Sequence, residues 1–202
     1  YIGGILTILG INALESTKLV FILVIMGSGI SMFFLVKDFF GKIAGLAAGI
    51  IYLYFPYHAV NIYVRGDLAE ASAYVFLPLV LLSLFKIHEL SRFSKNYIVL
   101  GALSIAAVVL SHNLSFFMLC IFMGMFILSS LFLTKQKKQL LLKYALVLVL
   151  AFLLSAFYTI PAILEMKYTN IVSIIGGGSD YRDHFICLKQ LWDSPWEFGG
   201  SA

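Results

Sequence analysis

Clusters of basic residues alternate along this chain with apolar runs long enough to cross a lipid bilayer. Nine of its fourteen Lys and Arg residues fall in three short clusters. In helical membrane proteins, the loops on the cytoplasmic side carry an excess of Lys and Arg. The pattern predicts that all three clusters face the cytoplasm and that the loops between them lie on the opposite, outer face. The clusters are Lys37 and Lys42; Lys86, Arg92 and Lys95; and Lys135, Lys137, Lys138 and Lys143.

The composition agrees with a membrane protein. Hydrophobic residues make up 61% of the 202 residues and charged residues 12%, which is about half the charged share usual in a soluble domain. The formal charge of +4 is explained by the predicted cytoplasmic loops, so it does not indicate nucleic acid as a partner. Cys120 and Cys187 form neither a disulfide framework nor a metal-ligand spacing.

The apolar runs predict an all-α fold, a polytopic bundle of about six to seven transmembrane helices. A break at Ser111–Asn113 divides an uncharged stretch that is too long for one span and returns both flanking basic clusters to the same side. We expect a transmembrane domain over residues 1–165 and an extracytoplasmic loop, or the start of another region, over 166–202. We also expect the chain to be a piece of a longer protein. The predicted spans are 19–36, 43–60, 69–86, 97–111, 114–134 and 144–164, with a partial span at 2–14.

Two packing features stand out within the predicted spans. Gly41, Gly45 and Gly49 form a stripe that allows another helix to approach closely, either in a homodimer or, as the preferred interpretation, within the same chain. Pro78 lacks the N–H that would bond to the carbonyl of Tyr74, so it predicts a kink and a freed carbonyl.

The outer loop between the second and third predicted spans carries the best candidates for chemistry. Asp67 and Glu70 share one face at the start of a helix, where a pair of carboxylates could act as general base or hold a divalent cation. The neighbouring Arg65 could bind a phosphate. The same Asp-x-x-Glu pattern is also an N-terminal capping box, with a purely structural role. The two interpretations are compatible.

Further candidates are more weakly indicated. His112, at the predicted outer turn, could face the same aqueous pocket, although a lone His at a helix end is more often a cap. The C-terminal tail holds several oxygen donors and a histidine, without a recognised metal-ligand spacing. These tail residues are Asp180, Asp183, His184, Asp193 and Glu197.

The order of several short segments resembles a known family. They are FFGKIAGL (39–46), YFPYH (54–58), YVRGDLAE (63–70), LPL (77–79), SHN (111–113) and SPW (194–196). The chain resembles the bacterial and archaeal membrane proteins labelled 6-pyruvoyl-tetrahydropterin synthase-related, which look distantly similar to the glycosyltransferase C superfamily.

That resemblance implies a multi-pass enzyme of the cell membrane that transfers a sugar from a polyprenyl-phosphate carrier on the extracytoplasmic face. It makes Asp67 and Glu70 the candidate catalytic residues, with Arg65, His58 and His112 as candidates for substrate binding. A divalent cation is a possible cofactor, and no metal ligand is assigned.

Two other function classes stay open at this point. Prolines within spans and the small-residue stripe also suit a transporter or flippase. However, the charges cluster at the ends of the spans, which argues against ion-coupled transport. A non-catalytic membrane scaffold would need the Asp-x-x-Glu pattern only as a helix cap.

Overall fold

The computed structural model describes residues 2–89 and 94–169, and within these ranges the chain is helical without a strand. Arg92 and the candidate tail residues from Asp180 onward lie outside the described residues. The helices are α1 (Ile2–Ile8), α2 (Ala13–Tyr54), α3 (Pro56–Ala59), α4 (Leu68–Glu89), α5 (Lys95–Ser111), α6 (Asn113–Leu133) and α7 (Lys137–Glu165). A π-helical segment covers Val60–Arg65, and a 3-10 turn covers Met166–Tyr168.

Several of these helices have the length and composition of membrane spans. Among the described residues four qualify, namely Ala13–Tyr54, Leu68–Glu89, Asn113–Leu133 and Lys137–Tyr168, and Lys95–Ser111 is a shorter apolar helix. The predicted break near His112 is confirmed, because this residue is extended (φ −149°, ψ 108°) between α5 and α6. Within the span predicted over 43–60, a helix ends at Tyr54, where Phe55 is extended before Pro56.

Helix α2 is folded back on itself at Gly41. This residue has φ 86° and ψ 174°, outside the helical region, and separates a first arm (residues 13–40) from a second arm (residues 42–54). A Cβ atom on Gly45 would lie 2.9 Å from the carbonyl oxygen of Phe33, and one on Gly49 would lie 2.9 Å from that of Gly29. The two arms therefore run antiparallel in close contact. Gly45 and Gly49 of the stripe pack within the chain, whereas Gly41 forms the turn.

The turn at Gly41 is the basis of a first prediction. Its backbone conformation is open almost exclusively to glycine, while a Cβ there would meet no atom within 4 Å. Gly41→Ala should therefore destabilise the protein by about 1–3 kcal/mol through backbone strain alone. Thermal unfolding in detergent would measure this effect. Gly124→Ala is the matched control, because Gly124 is helical and equally uncrowded. Equal unfolding temperatures for the two variants would contradict the strain argument.

Helix α4 lies at the centre of the packing. Its buried side chains Val80, Leu84 and Ile87 join a core with residues of α5, α6 and α7, while Ala71 packs with Val20 and Val24 of α2. The carbonyl of Tyr74, freed by Pro78, accepts a hydrogen bond of 3.1 Å from the hydroxyl of Tyr52. The polar group that the proline leaves unpaired is thus satisfied by the second arm of α2, as required in an apolar surrounding.

The chain divides into two compact units after Tyr158. The first unit holds α1 to α6 and most of α7, and all residues of the candidate site belong to it. Of the second unit, the structure describes the end of α7 and the 3-10 turn, in which the ammonium of Lys167 lies 4.9 Å from the ring centroid of Tyr168.

Candidate functional site

The first turn of α4 is built by Asp67. Its Oδ1 accepts a hydrogen bond of 3.0 Å from the backbone N–H of Glu70, which is one half of a capping box. The other half is absent, because the backbone N–H of Asp67 donates to the carbonyl of Asn61 (3.1 Å) instead of to Glu70. Asp67 therefore has the structural role that its sequence position suggested, and the carboxylate of Glu70 is released for other contacts.

The carboxylate of Glu70 is held by three side-chain donors. Oε1 accepts hydrogen bonds from the hydroxyls of Tyr57 (3.0 Å) and Tyr74 (2.8 Å), and Oε2 accepts one of 2.7 Å from Nη1 of Arg65. The residue is only 9% exposed. These hydrogen bonds hold the carboxylate in one orientation. The two tyrosines were missed in the sequence; Tyr74 follows Glu70 by four residues, and this spacing could have revealed it.

Arg65, the last residue of the π-helical segment, completes the cluster that it forms with Tyr57, Asp67, Glu70 and Tyr74. Its Nη1 also donates to the hydroxyl of Tyr57 (2.9 Å), and its Nη2 lies 3.6 Å from Oδ2 of Asp67. Gly66, with φ 61° and ψ 25°, provides the left-handed turn between this segment and α4.

His112 is brought to the same place by the turn between α5 and α6. Its Nδ1 accepts a hydrogen bond from the backbone N–H of Ser115 (3.3 Å) and lies 2.9 Å from the Ser115 hydroxyl, so it caps α6. A ring nitrogen of His112 and one carboxylate oxygen from each of Asp67 and Glu70 lie within 4.8 Å of one another. His112 thus lies beside Asp67 and Glu70, as predicted.

These three residues have the donor types of a divalent-cation site, but Arg65 competes with such an ion. Its guanidinium lies 2.7 Å from Glu70 and 3.6 Å from Asp67, and so already supplies positive charge between the two carboxylates. A bound cation would have to displace this ion pair or tolerate its repulsion. Arg65 already pairs with both carboxylates, and the two tyrosine hydroxyls already donate to Glu70.

His58, predicted to bind substrate, is not part of this network of ion pairs and hydrogen bonds. It is 5% exposed, with its ring stacked on that of Tyr74 (4.4 Å between centroids) and edge-on to that of Tyr52 (4.6 Å). The side chain packs between α2 and α4 and does not line the cavity that is described next. The structure gives it a packing role.

A cavity of about 650 Å³ opens beside the cluster. Its polar end is formed by Tyr57, Arg65, Glu70, Tyr74, His112 and Ser115. Its remaining wall is an apolar groove formed by Leu77 and Leu81 of α4 and by Leu114, Met118, Leu119 and Phe122 of α6. The groove follows α4 for about 16 Å beyond Glu70. Because Met118 is 65% exposed, the groove opens at the side of the bundle, where lipid surrounds a membrane protein.

No curated protein and no solved structure matches this chain. A family model described as 6-pyruvoyl-tetrahydropterin synthase related domain, membrane protein, matches residues 1–173. The match covers every residue of the candidate site and agrees with the several long apolar helices. The chain therefore belongs to the 6-pyruvoyl-tetrahydropterin synthase related family of membrane proteins.

Proposed function

We propose that this protein binds a sugar carried on polyprenyl phosphate and transfers the sugar at the extracytoplasmic face of the cell membrane. The observation that carries the proposal is the cavity that joins a polar cluster at the start of α4 to an apolar groove along α4 and α6. A lipid-linked sugar has the same division into a polar head and a long apolar chain. The groove is open at the side of the bundle, so a lipid can enter it without leaving the bilayer.

The charges of the cluster suit a sugar bound next to a phosphate. Arg65 is the cation of the cluster and lies between the carboxylates of Asp67 and Glu70. Neutral sugar hydroxyls can donate hydrogen bonds to these carboxylates. Nη1 of Arg65 donates to Glu70 and Tyr57, whereas Nη2 has, among the described residues, the 3.6 Å contact with Asp67 and can turn to a phosphate oxygen.

The geometry separates the roles of the two acids. Glu70 receives three hydrogen bonds and serves to position Arg65, Tyr57 and Tyr74. Oδ2 of Asp67 is less constrained, so Asp67 is the candidate general base, with His112 beside it. In the proposed reaction Asp67 takes the proton of an acceptor hydroxyl, whose oxygen bonds to the anomeric carbon. The bond from that carbon to the phosphate oxygen breaks, and polyprenyl phosphate leaves with the electron pair.

The proposed orientation places this site outside the cell. If the two arms of α2 cross separately, the arms together with α4, α5, α6 and α7 give six crossings. Lys37 and Lys42 then flank the turn at Gly41 on the cytoplasmic side, which agrees with the excess of basic residues expected there. The first turn of α4 lies at the other membrane face.

The test is transfer of sugar from a polyprenyl-phosphate sugar by the purified protein in lipid nanodiscs. Asp67→Asn keeps an oxygen that can cap α4 but removes the base, so it should lower the transfer rate by about 100-fold or more. Asp38→Asn is the matched control; this acid pairs with Lys86 (3.3 Å) near the opposite end of α4. Full activity in the double variant Asp67→Asn, Glu70→Gln would overturn the assignment.

A further inference from the structure

The side chains of Asp67, Glu70 and His112 have the composition of a catalytic metal site. One ligand atom from each lies within 4.8 Å of the other two. Two ligands of the same ion stand at most about 4.4 Å apart, which is twice a typical metal–ligand distance. Catalytic zinc sites likewise have three protein ligands and leave a further position open for water or substrate. By donor type and spacing alone, a divalent cation would fit here after a small movement of the side chains.

A positive charge of the chain itself already contacts both carboxylates. Nη1 of Arg65 lies 2.7 Å from Oε2 of Glu70, and Nη2 lies 3.6 Å from Oδ2 of Asp67. Each of these two nitrogens thus faces a different acid. A divalent cation bound to the same carboxylates would lie so close to the guanidinium that the two positive charges would repel each other strongly. The metal and the guanidinium therefore exclude each other.

Arg65 is held in this position by more than its two ion pairs. Its Nη1 also donates a hydrogen bond of 2.9 Å to the hydroxyl of Tyr57, which itself donates to Oε1 of Glu70 (3.0 Å). Arg65, Tyr57 and Glu70 thus form a closed ring of contacts. A metal that displaced the guanidinium would break this ring and would remove one donor from a carboxylate that is largely buried. The guanidinium is therefore a built-in part of the site.

The guanidinium also has an open side. The side chain of Arg65 is 43% exposed, and it lines the cavity beside the apolar groove. An arginine is always charged in proteins and offers several N–H donors in one plane, which suits the oxygens of a phosphate. Arg65 can thus hold the two acids in place and still present N–H groups to a phosphate in the cavity.

We propose that Arg65 is the resident cation of this site and takes the place of a divalent metal ion. Its part in catalysis rests on the sugar transfer proposed above. When the bond between the anomeric carbon and the phosphate oxygen breaks, the electron pair moves onto that oxygen, and the guanidinium donates hydrogen bonds to the phosphate. Arg65 keeps its own proton, because the proton that moves is that of the acceptor hydroxyl, which goes to Asp67. Transfer therefore needs no added metal.

Binding of Mn²⁺ to the full chain in phosphatidylcholine nanodiscs, followed by electron paramagnetic resonance, tests the exclusion of a metal without any substrate. Arg65→Met keeps the length of the side chain but removes its charge. It should bind Mn²⁺ at least about 100-fold more tightly than the wild type, because the three donors lose their competing cation. Arg65→Lys is the matched control; it keeps the charge and should show no such gain. Adding Asp67→Asn to Arg65→Met should remove the gain.

Two results of this measurement would overturn the proposal. One is tight binding of Mn²⁺ by the wild-type protein that Asp67→Asn abolishes; the other is equal affinity of the wild type and a folded Arg65→Met. Because Glu70 is largely buried, its loss of a charged partner could prevent Arg65→Met from folding. Arg65→Gln, whose amide can still donate to Glu70, then takes its place. The wild-type measurement decides even if neither variant folds.

Sugar transfer by the wild-type protein tests the catalytic part. The rate in EDTA should be the same as the rate with added Mg²⁺ or Mn²⁺. Loss of transfer in EDTA that either ion restores would overturn the role of Arg65 as resident cation and leave the proposed function standing. An absence of transfer under both conditions would contradict the proposed function instead, and the Mn²⁺ measurement would still decide whether Arg65 excludes a metal.

Discussion

Replacing Glu70 with alanine is expected to abolish binding of the lipid-linked sugar and to lower the free energy of unfolding by about 2 kcal/mol. The hydroxyl of Tyr74 is buried, and it loses its acceptor in this variant. A buried donor without a partner costs about 1–3 kcal/mol. Arg65 loses its 2.7 Å ion pair as well, but its side chain is partly exposed and water compensates much of that loss. The tyrosines and the guanidinium would then no longer be fixed around the cavity.

Glu70→Gln separates the charge from the shape of this side chain. The amide oxygen can still accept a hydrogen bond, so this variant should be less destabilised than Glu70→Ala while binding at least about tenfold more weakly. Glu15→Gln is the matched control, because Glu15 forms an exposed ion pair with Lys18 (2.9 Å) at the start of α2. Thermal unfolding and sugar-lipid binding should be measured on all three variants. Binding by Glu70→Ala as tight as that of the wild type would refute the positioning role.

Gly49→Leu is expected to have the largest effect on the fold. The Cβ atom of any side chain at this position would lie 2.9 Å from the carbonyl oxygen of Gly29, which belongs to the facing arm of α2. A backbone atom in a packed helix cannot move aside as the end of a flexible side chain can. The two arms must separate, and we expect a loss of about 3 kcal/mol or more, a large fraction of the stability of a typical protein.

Gly124→Leu tests the same substitution without the crowding. Gly124 lies in the transmembrane helix α6, and a Cβ atom there would meet nothing within 4 Å. The yield of monodisperse protein in detergent and its unfolding temperature should fall for Gly49→Leu and stay close to wild type for Gly124→Leu. If both variants behaved alike, close contact between the arms would not be what holds this hairpin together.

The sequence was most informative where the physical signal is local. Apolar runs predicted the helices, and the length argument placed the turn at Ser111–Asn113, where His112 is extended in the structure. The spacing of Asp67 and Glu70 predicted a shared face, and Asp67 does cap the helix. The glycine stripe indicated close packing, and Gly45 and Gly49 do lie against the first arm.

The side-chain directions around the site could not be read in the same way. Residues 60–65 form a π-helix, so the face on which a side chain emerges no longer follows the α-helical period. Arg65, at the end of this segment, turns towards Glu70. His58 lies before the segment, in α3, and packs against Tyr52 and Tyr74. Pro56 ended the preceding helix earlier than the hydrophobic pattern indicated, because the apolar run continues past it. Tyr57 was overlooked because its contact with Glu70 joins residues of two different helical segments.

The second arm of α2 has a consequence for the depth of the site. Its thirteen residues reach only about 20 Å, whereas the hydrocarbon core is about 30 Å thick. If this arm crosses the bilayer as proposed, the short helical pieces from Pro56 to Arg65 complete the crossing, and Arg65 and Glu70 lie in a recess of the outer leaflet. Polar groups at that depth lie in a medium of lower dielectric constant than at an aqueous surface. Each ion pair and hydrogen bond around Glu70 is therefore stronger there.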